Sequence, residues 1–578
     1  MKIINYLKKI FNNLLLSTKR FPLAALAAFI TTFILMIVIN NNTLFSDQKI
    51  KLLIELALTT SLAFPLFLSS SLIFERFPEI KKHLIYFLIF LFLLIYHLFI
   101  FKDFELVSIS RFIALNISFY LLVLLIHYFY KRKNYELYIA HIFSKFFVTI
   151  VYTVVIFIGL ITILFTLDKL FELSLAKELY ISSWLLAAGI FAPIFMLAGI
   201  PLFKRDFDLN DYSSVLKILI LYIIMPLLTI YSLILYLYFI KIIKTQLWLE
   251  SIVGQLVFWY SMLSFLVIFF IKPFRKENKW VNKFILIMPK IILPLLIMMF
   301  FALSIRINDY GLTENRYYVF LLGIWIFLVM LYYNFSQKQR NTIVVFSLAI
   351  ISILAVFGPW SGFSLATKSQ NQRFENILRE NELLENNKIV KKPIPTTAKK
   401  EINSIIKYFT DKHSLEALNY LPTDFKKTEM EEVFGFKYQR YYSNHNNFYY
   451  RIPFKGKIFQ LEDYNYLLDF QVEGSEISTS NQLENDLSLD FNLEQFKLEL
   501  IKAEKVIFKQ NLKNDLLQLQ QKLQKSSEKD LKDLNQNYIY ENEAVKMKIV
   551  FKYLSGELKS NSDLQLYRLN SFIFIQLK

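Results

Sequence analysis

Apolar stretches of about twenty residues recur through the first two thirds of this chain, and no other feature restricts its fold so tightly. A bilayer core about 30 Å thick is crossed by roughly 20 residues rising 1.5 Å each. Inside hydrocarbon every peptide N–H and C=O must be paired within its own segment, so runs of this length become α-helices. They fall near residues 21–39, 52–74, 84–101, 106–130, 146–167, 180–203, 218–240, 252–271, 284–305, 317–334 and 342–360. The expected fold is an all-α polytopic membrane helix bundle of about eleven transmembrane helices, followed by a small soluble α+β domain. The expected boundaries are an amphipathic N-terminal helix at 1–20, the bundle at 21–364, a helical linker at 365–395 and the soluble domain at 396–578.

Charge supports this division and gives it a direction. Hydrophobic residues make up 55% of the chain and charged ones 19%, where soluble domains average about 45–50% and 25%. The net charge of +18 suggests a nucleic-acid binder until it is located along the chain. From residue 365 onward there are 32 basic and 30 acidic residues, so the excess lies between the apolar runs. A near-neutral tail offers no basic stripe for a phosphate backbone, and nucleic acid is excluded as a partner. Basic residues gather in alternate loops, among them Lys81, Lys82, Lys131, Arg132, Lys133, Lys204, Arg205, Lys272, Arg275, Lys276 and Lys279. Such loops stay on the cytoplasmic side. A bacterial inner (cytoplasmic) membrane protein with a cytoplasmic N-terminus is therefore expected. Eleven crossings then place the C-terminal domain outside the cytoplasm. Ile3, Leu7, Ile10, Phe11, Leu14 and Leu15 share one face of the first segment, as in a helix lying along the inner leaflet.

The tail changes periodicity. Phe374, Ile377 and Leu378, then Ile402, Ile405, Ile406 and Phe409, repeat at helical spacing on either side of Pro393 and Pro395. Strand-like alternation follows at 465–472, 496–501, 506–510, 546–553 and 564–577, interrupted by a helix at about 512–524.

Chemical motifs are scarce. The chain has no cysteine, which rules out disulfides, thiolate nucleophiles and cysteine-based metal centres. Its six histidines lack metal-ligand spacing, and there is no phosphate-binding loop, nucleophile elbow or His-Glu-x-x-His helix. No metal and no cofactor are expected, and catalytic residues are not identifiable. What stands out is a set of ionisable residues near the ends of apolar runs: Glu55, His97, Arg111, Arg306, Asp309, Glu314 and Arg316. Charges at membrane depth are costly, and they mark either a ligand site or ion pairs that fix helix ends. In the expected topology all seven face outward. One reading joins them in a charged vestibule for a small polar or zwitterionic ligand. Between Arg306 and Arg316, Gly311 suits a turn with positive φ, and Thr313 suits a helix cap. Turn and cap do not require the two arginines, which suit bidentate clamping of a phosphate or carboxylate. Pro65, Pro193, Pro226, Pro289 and Pro294 fall inside apolar runs and are expected to bend them.

The segment from Arg306 to Tyr317 (Arg-Ile-Asn-Asp-Tyr-Gly-Leu-Thr-Glu-Asn-Arg-Tyr) resembles the signature of a bacterial polytopic membrane family catalogued as a domain of unknown function (DUF4153-like). Arg20-Phe-Pro-Leu23, Ala198-Gly-Ile-Pro201, Met225-Pro-Leu227, Leu293-Pro-Leu295, Phe357-Gly-Pro-Trp-Ser361 and Asp463-Tyr-Asn-Tyr466 agree with it. The resemblance implies the bundle architecture and carries no activity with it. The functional expectation is a non-enzymatic envelope binding, sensing or assembly protein, in contact with the lipid bilayer and with an envelope protein or polar ligand. A transporter or lipid-handling protein using the outer charges is the alternative, and a membrane-embedded transferase or hydrolase a further one.

Overall fold

The protein is described by a computed structural model covering residues 12–41, 44–101, 106–126, 128, 134–203, 205–245, 252–438, 447–451, 464–473, 478–482, 486–492, 495–525, 537–560 and 563–578. The chain divides into two compact units, one comprising 1–389 with 408–425, the other 390–407 with 426–578.

The first unit is helical. Its described residues include ten helices long and apolar enough to cross a membrane. They are α1 Pro22–Asn40, α2 Asp47–Arg76, α3 Lys82–Ile100, α4 Leu106–Ile126, α5 Tyr135–Phe171, α6 Lys177–Ala198, α7 Ser214–Thr245, α8 Gly254–Arg275, α9 Lys279–Tyr310 and α10 Glu314–Phe335. The eleventh apolar run folds differently from its expected span. It forms α11, Asn341–Leu354, of only 14 residues. At 1.5 Å per residue this is about 21 Å, short of a 30 Å core. The helix ends early because the chain turns through Gly358, at φ +86°, and Pro359. Of the N-terminal amphipathic helix, residues 12–20 are helical, while Ile3, Leu7, Ile10 and Phe11 lie outside the described residues.

Small residues and hydroxyls bring the helices together, as expected where lipid is no poorer a solvent than a leucine side chain. Ala24, Ala27 and Ala28 of α1 are buried, and the Thr31 and Thr60 hydroxyls meet at 2.9 Å. The main core is built round α9, whose Ile292, Leu295, Leu296 and Met299 are fully enclosed. Two prolines are accommodated by a change of helix type. Pro193 follows a π-helical turn at Leu186–Phe191, and Pro226 follows another at Leu219–Ile224. Proline has no N–H to donate, and the wider turn ahead of it lets neighbouring amides pair one residue further back.

Where α5, α8 and α10 end near α11, polar side chains close the bundle. Glu136 accepts from Lys272 and from Asn341, each at 2.9 Å. Asn341 in turn accepts from the Tyr333 hydroxyl at 2.8 Å. Gln339 donates to the Tyr333 carbonyl at 2.7 Å and accepts from Arg275 at 3.1 Å. A cavity of about 500 Å³ opens beside this network, bounded by Glu136, Asp208, Lys272, Lys338 and Arg340 among others.

After α11 come α12 (Gly362–Glu380), the two-residue strands β1 (Leu384–Glu385) and β2 (Lys388–Ile389), and α13 (Thr396–Lys412). The second unit continues through α14 (Met430–Phe434), β3 (Asn447–Arg451), β4 (Tyr466–Glu473), β5 (Ser478–Gln482), β6 (Leu487–Asn492), β7 (Lys497–Lys502) and β8 (Lys505–Asn511). It closes with α15 (Lys513–Lys525), β9 (Asn537–Glu541), β10 (Val545–Ser560) and β11 (Asp563–Leu577). One antiparallel sheet runs β3-β10-β11-β4 with β9 also on β10, and a second runs β5-β6-β7-β8. Alternation decides which face is buried. Leu487, Leu489 and Phe491 of β6 and Leu498 and Leu500 of β7 point inward. They join Met547, Ile549, Ile573 and Ile575 of the larger sheet, with Leu516 and Leu519 of α15. The five expected strands and the helix at 512–524 are all present. β3, β5, β6 and β9 are additional, and β5 in particular is a polar Ser-Thr-Ser-Asn-Gln stretch that carries no alternation.

The close approach of α9 and α10 gives a test of the bundle. A Cβ on Gly323 would lie 2.6 Å from Met299 Cε and 3.0 Å from Phe300 Cε1. Gly323→Leu is expected to cost about 1–3 kcal/mol by overpacking, read as a lowered melting temperature in detergent. An unchanged midpoint would mean these helices are not in such contact.

Candidate ligand site at the Arg306–Tyr317 turn

The last turns of α9 and the first of α10 are joined by three residues. Gly311 takes φ +71° with ψ 169°, a region open in practice only to glycine. A Cβ there would also fall 2.6 Å from Gln370 Nε2. Thr313 occupies the N-cap position of α10, yet its hydroxyl makes no capping bond, so the expected threonine cap is absent. Glu314 takes its place in the first turn as the negative group near the positive end of the helix dipole.

A helix that stops leaves carbonyls without partners, and here α12 supplies them. One face of α12 buries Phe363, Ala366, Gln370, Phe374 and Ile377 at helical spacing, which presents Gln370 to the turn. Its amide nitrogen donates to the carbonyls of Tyr310 and Leu312 at 2.9 and 3.0 Å. The Ser369 hydroxyl accepts from the Leu312 N–H at 2.9 Å. Arg316 Nη1 donates to the Tyr310 carbonyl at 3.3 Å and to that of Gly311. Arg373 approaches the Tyr310 carbonyl from α12 at 3.5 Å. Arg306 and Arg373 both lie within electrostatic reach of Arg316. Arg306 Nε is shut off from solvent and finds no hydrogen-bond partner among the described residues.

In the first turn of α10, Glu314 is held by two residues at the end of α13. Its Oε1 lies 2.7 Å from His413 Nε2 and accepts from the Tyr408 hydroxyl at 2.6 Å. A carboxylate offers only acceptors, so Nε2 of His413 carries the proton in this contact. The His413 and Glu314 side chains are 8% and 5% exposed. Burial, and then the hydrogen bond to Glu314, push the Tyr408 hydroxyl far above its usual range, and it stays protonated at any physiological pH.

Of the seven residues singled out from sequence, Arg306 and Arg316 come together here, while Glu314 opens α10 with its contacts made to Tyr408 and His413. Asp309 is on the same last turn of α9 but exposed, and makes no ion pair among the described residues. Glu55 and His97 lie elsewhere, both next to Thr59. The Thr59 hydroxyl donates to the Glu55 carbonyl at 2.9 Å and lies 3.4 Å from His97 Nδ1. Arg111 stacks on Phe357 at 5.3 Å, with Nε 3.5 Å from the Val356 carbonyl. Among the described residues no hydrogen bond or ion pair links Glu55, His97 or Arg111 to the arginine group. Sequence reasoning missed Gln370, Arg373, Tyr408 and His413. Gln370 and Arg373 are three apart on an amphipathic helix, a signal that marks a face without naming what it faces.

The fold is that of a polytopic membrane protein whose most built polar site lies at one end of the bundle. Residues 23–371 match the family described as Domain of unknown function (DUF4153), and the chain belongs to that family. The matched region takes in the Arg306–Tyr317 turn and Gln370, and stops two residues short of Arg373. The chain is also 24% identical over 232 residues to an uncharacterised protein of Pasteurella multocida (strain Pm70), covering 40% of each sequence. The chain therefore spans less than half the length of that curated relative. No solved structure matches it.

The Glu314 contacts make an ordered prediction. His413→Ala leaves a buried carboxylate short of the ring N–H it accepts from and empties the space where the ring packs on Tyr408 and Phe409, and should cost about 3 kcal/mol or more. Tyr408→Phe removes one hydrogen bond to that carboxylate and should cost about 1–3 kcal/mol. Thermal unfolding of the detergent-solubilised protein reads both, and a Tyr408→Phe loss exceeding that of His413→Ala would contradict the assignment.

Proposed function

We propose that this chain is a non-enzymatic binding protein of the bacterial inner membrane, which holds a phosphate- or carboxylate-bearing ligand between Arg306, Arg316 and Arg373. The carrying observation is Arg306, whose buried Nε is without a partner among the described residues while a second and third guanidinium lie nearby. Like charges brought together at low dielectric repel, and an anion between them turns that repulsion into bidentate attraction. In this reading the N-terminus is cytoplasmic and the β-sheet unit lies outside the cytoplasm, where it engages an envelope partner. The basic alternate loops support a cytoplasmic N-terminus, and an odd number of crossings is supported by the run of α11 and its following turn along α10, from Asn341 at Tyr333 to Trp360 at Tyr317. Transport through the same site is a second reading, supported by the π-helical turns ahead of Pro193 and Pro226, a helix irregularity frequent at functional sites.

Binding separates this reading from simple helix capping. In chloride buffer, Arg306→Gln should be as stable as the natural protein or more so, because it relieves repulsion. In millimolar phosphate at equal ionic strength, the natural protein should gain stability and the double variant Arg306→Gln/Arg316→Gln should not. A pure capping role predicts loss in both buffers and no phosphate effect.

Orientation has its own test. Alkaline phosphatase fused after Lys578 should be active and a fluorescent protein at the same point dark. The reverse pattern would put the tail in the cytoplasm and remove the envelope-partner reading.

A further inference from the structure

We infer that the cavity at the C-terminal end of α10 is a second binding site, for a small water-soluble organic anion bearing a phosphate or carboxylate. It lies at the opposite end of α10 from the Arg306–Tyr317 turn and shares no residue with it. About 500 Å³ is held between the start of α5, residues 208–209, the last turn of α8 and the loop into α11. Small-molecule sites commonly measure about 300–1,000 Å³ and combine apolar walls with a few fixed polar groups. Here Leu137, Leu209 and Pro273 supply apolar wall, and Lys272, Lys338 and Arg340 supply positive charge.

The loop that carries two of those cations is held firmly. Gln339 takes φ +35°, a left-handed conformation that a residue other than glycine keeps only where its surroundings fix it. Its side-chain amide donates to the Tyr333 carbonyl and accepts from Arg275. Its own carbonyl accepts from Lys272, and its N–H donates to the Ser336 hydroxyl at 3.4 Å. With Gln339 tied into the bundle, its neighbours Lys338 and Arg340 both border the cavity. Donors and acceptors along the wall then decide the sign of the ligand. The carboxylates are already engaged. Glu136 accepts from Lys272 and Asn341, and Asp208 accepts from the backbone N–H groups of Asn210 and Asp211. The side chains of Lys338, Arg340 and Thr342 make no hydrogen bond or ion pair among the described residues. A guanidinium and an ammonium two residues apart can grip one phosphate or carboxylate by charge-assisted hydrogen bonds. A cationic ligand would meet repulsion from the same two groups. The first turn of α11, which no side chain caps, adds the positive end of its dipole. In the orientation proposed above this end faces the cytoplasm, so the ligand is a cytoplasmic solute. That compartment rests on the orientation reading, whereas the site does not.

The experiment uses the full chain in dodecyl maltoside, in phosphate-free buffer at constant ionic strength. Because the chain has no cysteine, Thr342→Cys introduces a unique thiol at the cavity wall, and Lys177→Cys a control outside it. Maleimide labelling rates are measured with glycerol 3-phosphate, succinate or choline as the probe. One or both anions should slow labelling of Thr342→Cys by about tenfold at ten times the dissociation constant. Choline should have no effect, and Lys177→Cys should label at one rate throughout. Adding Lys338→Gln/Arg340→Gln should raise the anion concentration needed by about tenfold or more. Adding Arg306→Gln/Arg316→Gln should change nothing, so failure at the α9–α10 turn and failure here read separately. Protection by neither anion, equal protection by choline, or protection that survives Lys338→Gln/Arg340→Gln would each overturn the inference. An anion effect abolished by Arg306→Gln/Arg316→Gln would belong to the α9–α10 turn and would also overturn the cavity site.

Discussion

An unpaired peptide group has no water to turn to in hydrocarbon, and that constraint orders the whole bundle. It forces each long apolar run into a helix. The two prolines at 193 and 226 are met by a widened turn before them. It also moves the problem to the helix ends, where four carbonyls at a time lose their partners. The end of α9 is the clearest case, because the Tyr310 carbonyl receives Gln370, Arg316 and Arg373 together. Side chains from α10 and α12 thus converge on one turn for a reason that begins with backbone chemistry. The site is a consequence of how a buried helix is brought to a stop.

Much of this was legible in the sequence because apolar length is a local property. The ten long helices each begin and end close to the apolar runs that announce them. The eleventh shows the limit. Its composition is as apolar as the others, but a glycine with positive φ and a proline close it after 14 residues. Hydropathy counts residues and does not register where the chain turns. In the tail, strands with alternating inward residues were legible, and the polar β5 was not, since its place in the sheet is set by pairing with β6.

The site was legible in halves. Arg306, Glu314 and Arg316 are close in sequence, and their excess over what a turn needs is visible without a structure. Glu314, however, finds its partners about a hundred residues away, at Tyr408 and His413. No periodicity encodes that meeting. Grouping Glu55, His97 and Arg111 with the arginines rested on a shared side of the membrane, and a shared side is far coarser than a contact. The structure gives those three neighbours of their own.

The two ends of α10 decide whether three guanidinium groups at one turn are mere architecture. At its C-terminal end Lys272 and Arg275 have side-chain acceptors. Lys272 meets Glu136, Arg275 meets Asn282 and Gln339, and the amides of Gln339 and Asn341 are themselves bonded. At the N-terminal end Glu314 is already engaged by His413 and Tyr408. The C-terminus of α9 offers the arginines only about half a negative charge. Arg306 and Arg316 bring two charges to it, and Arg306 adds a buried N–H with no acceptor among the described residues. Helix capping at the Tyr310 carbonyl accounts for Gln370, Arg316 and Arg373, and leaves Arg306 without such a role. The buried N–H of Arg306 is what an anion entering the turn would engage, and it is the reason we propose a binding site at this end of the bundle.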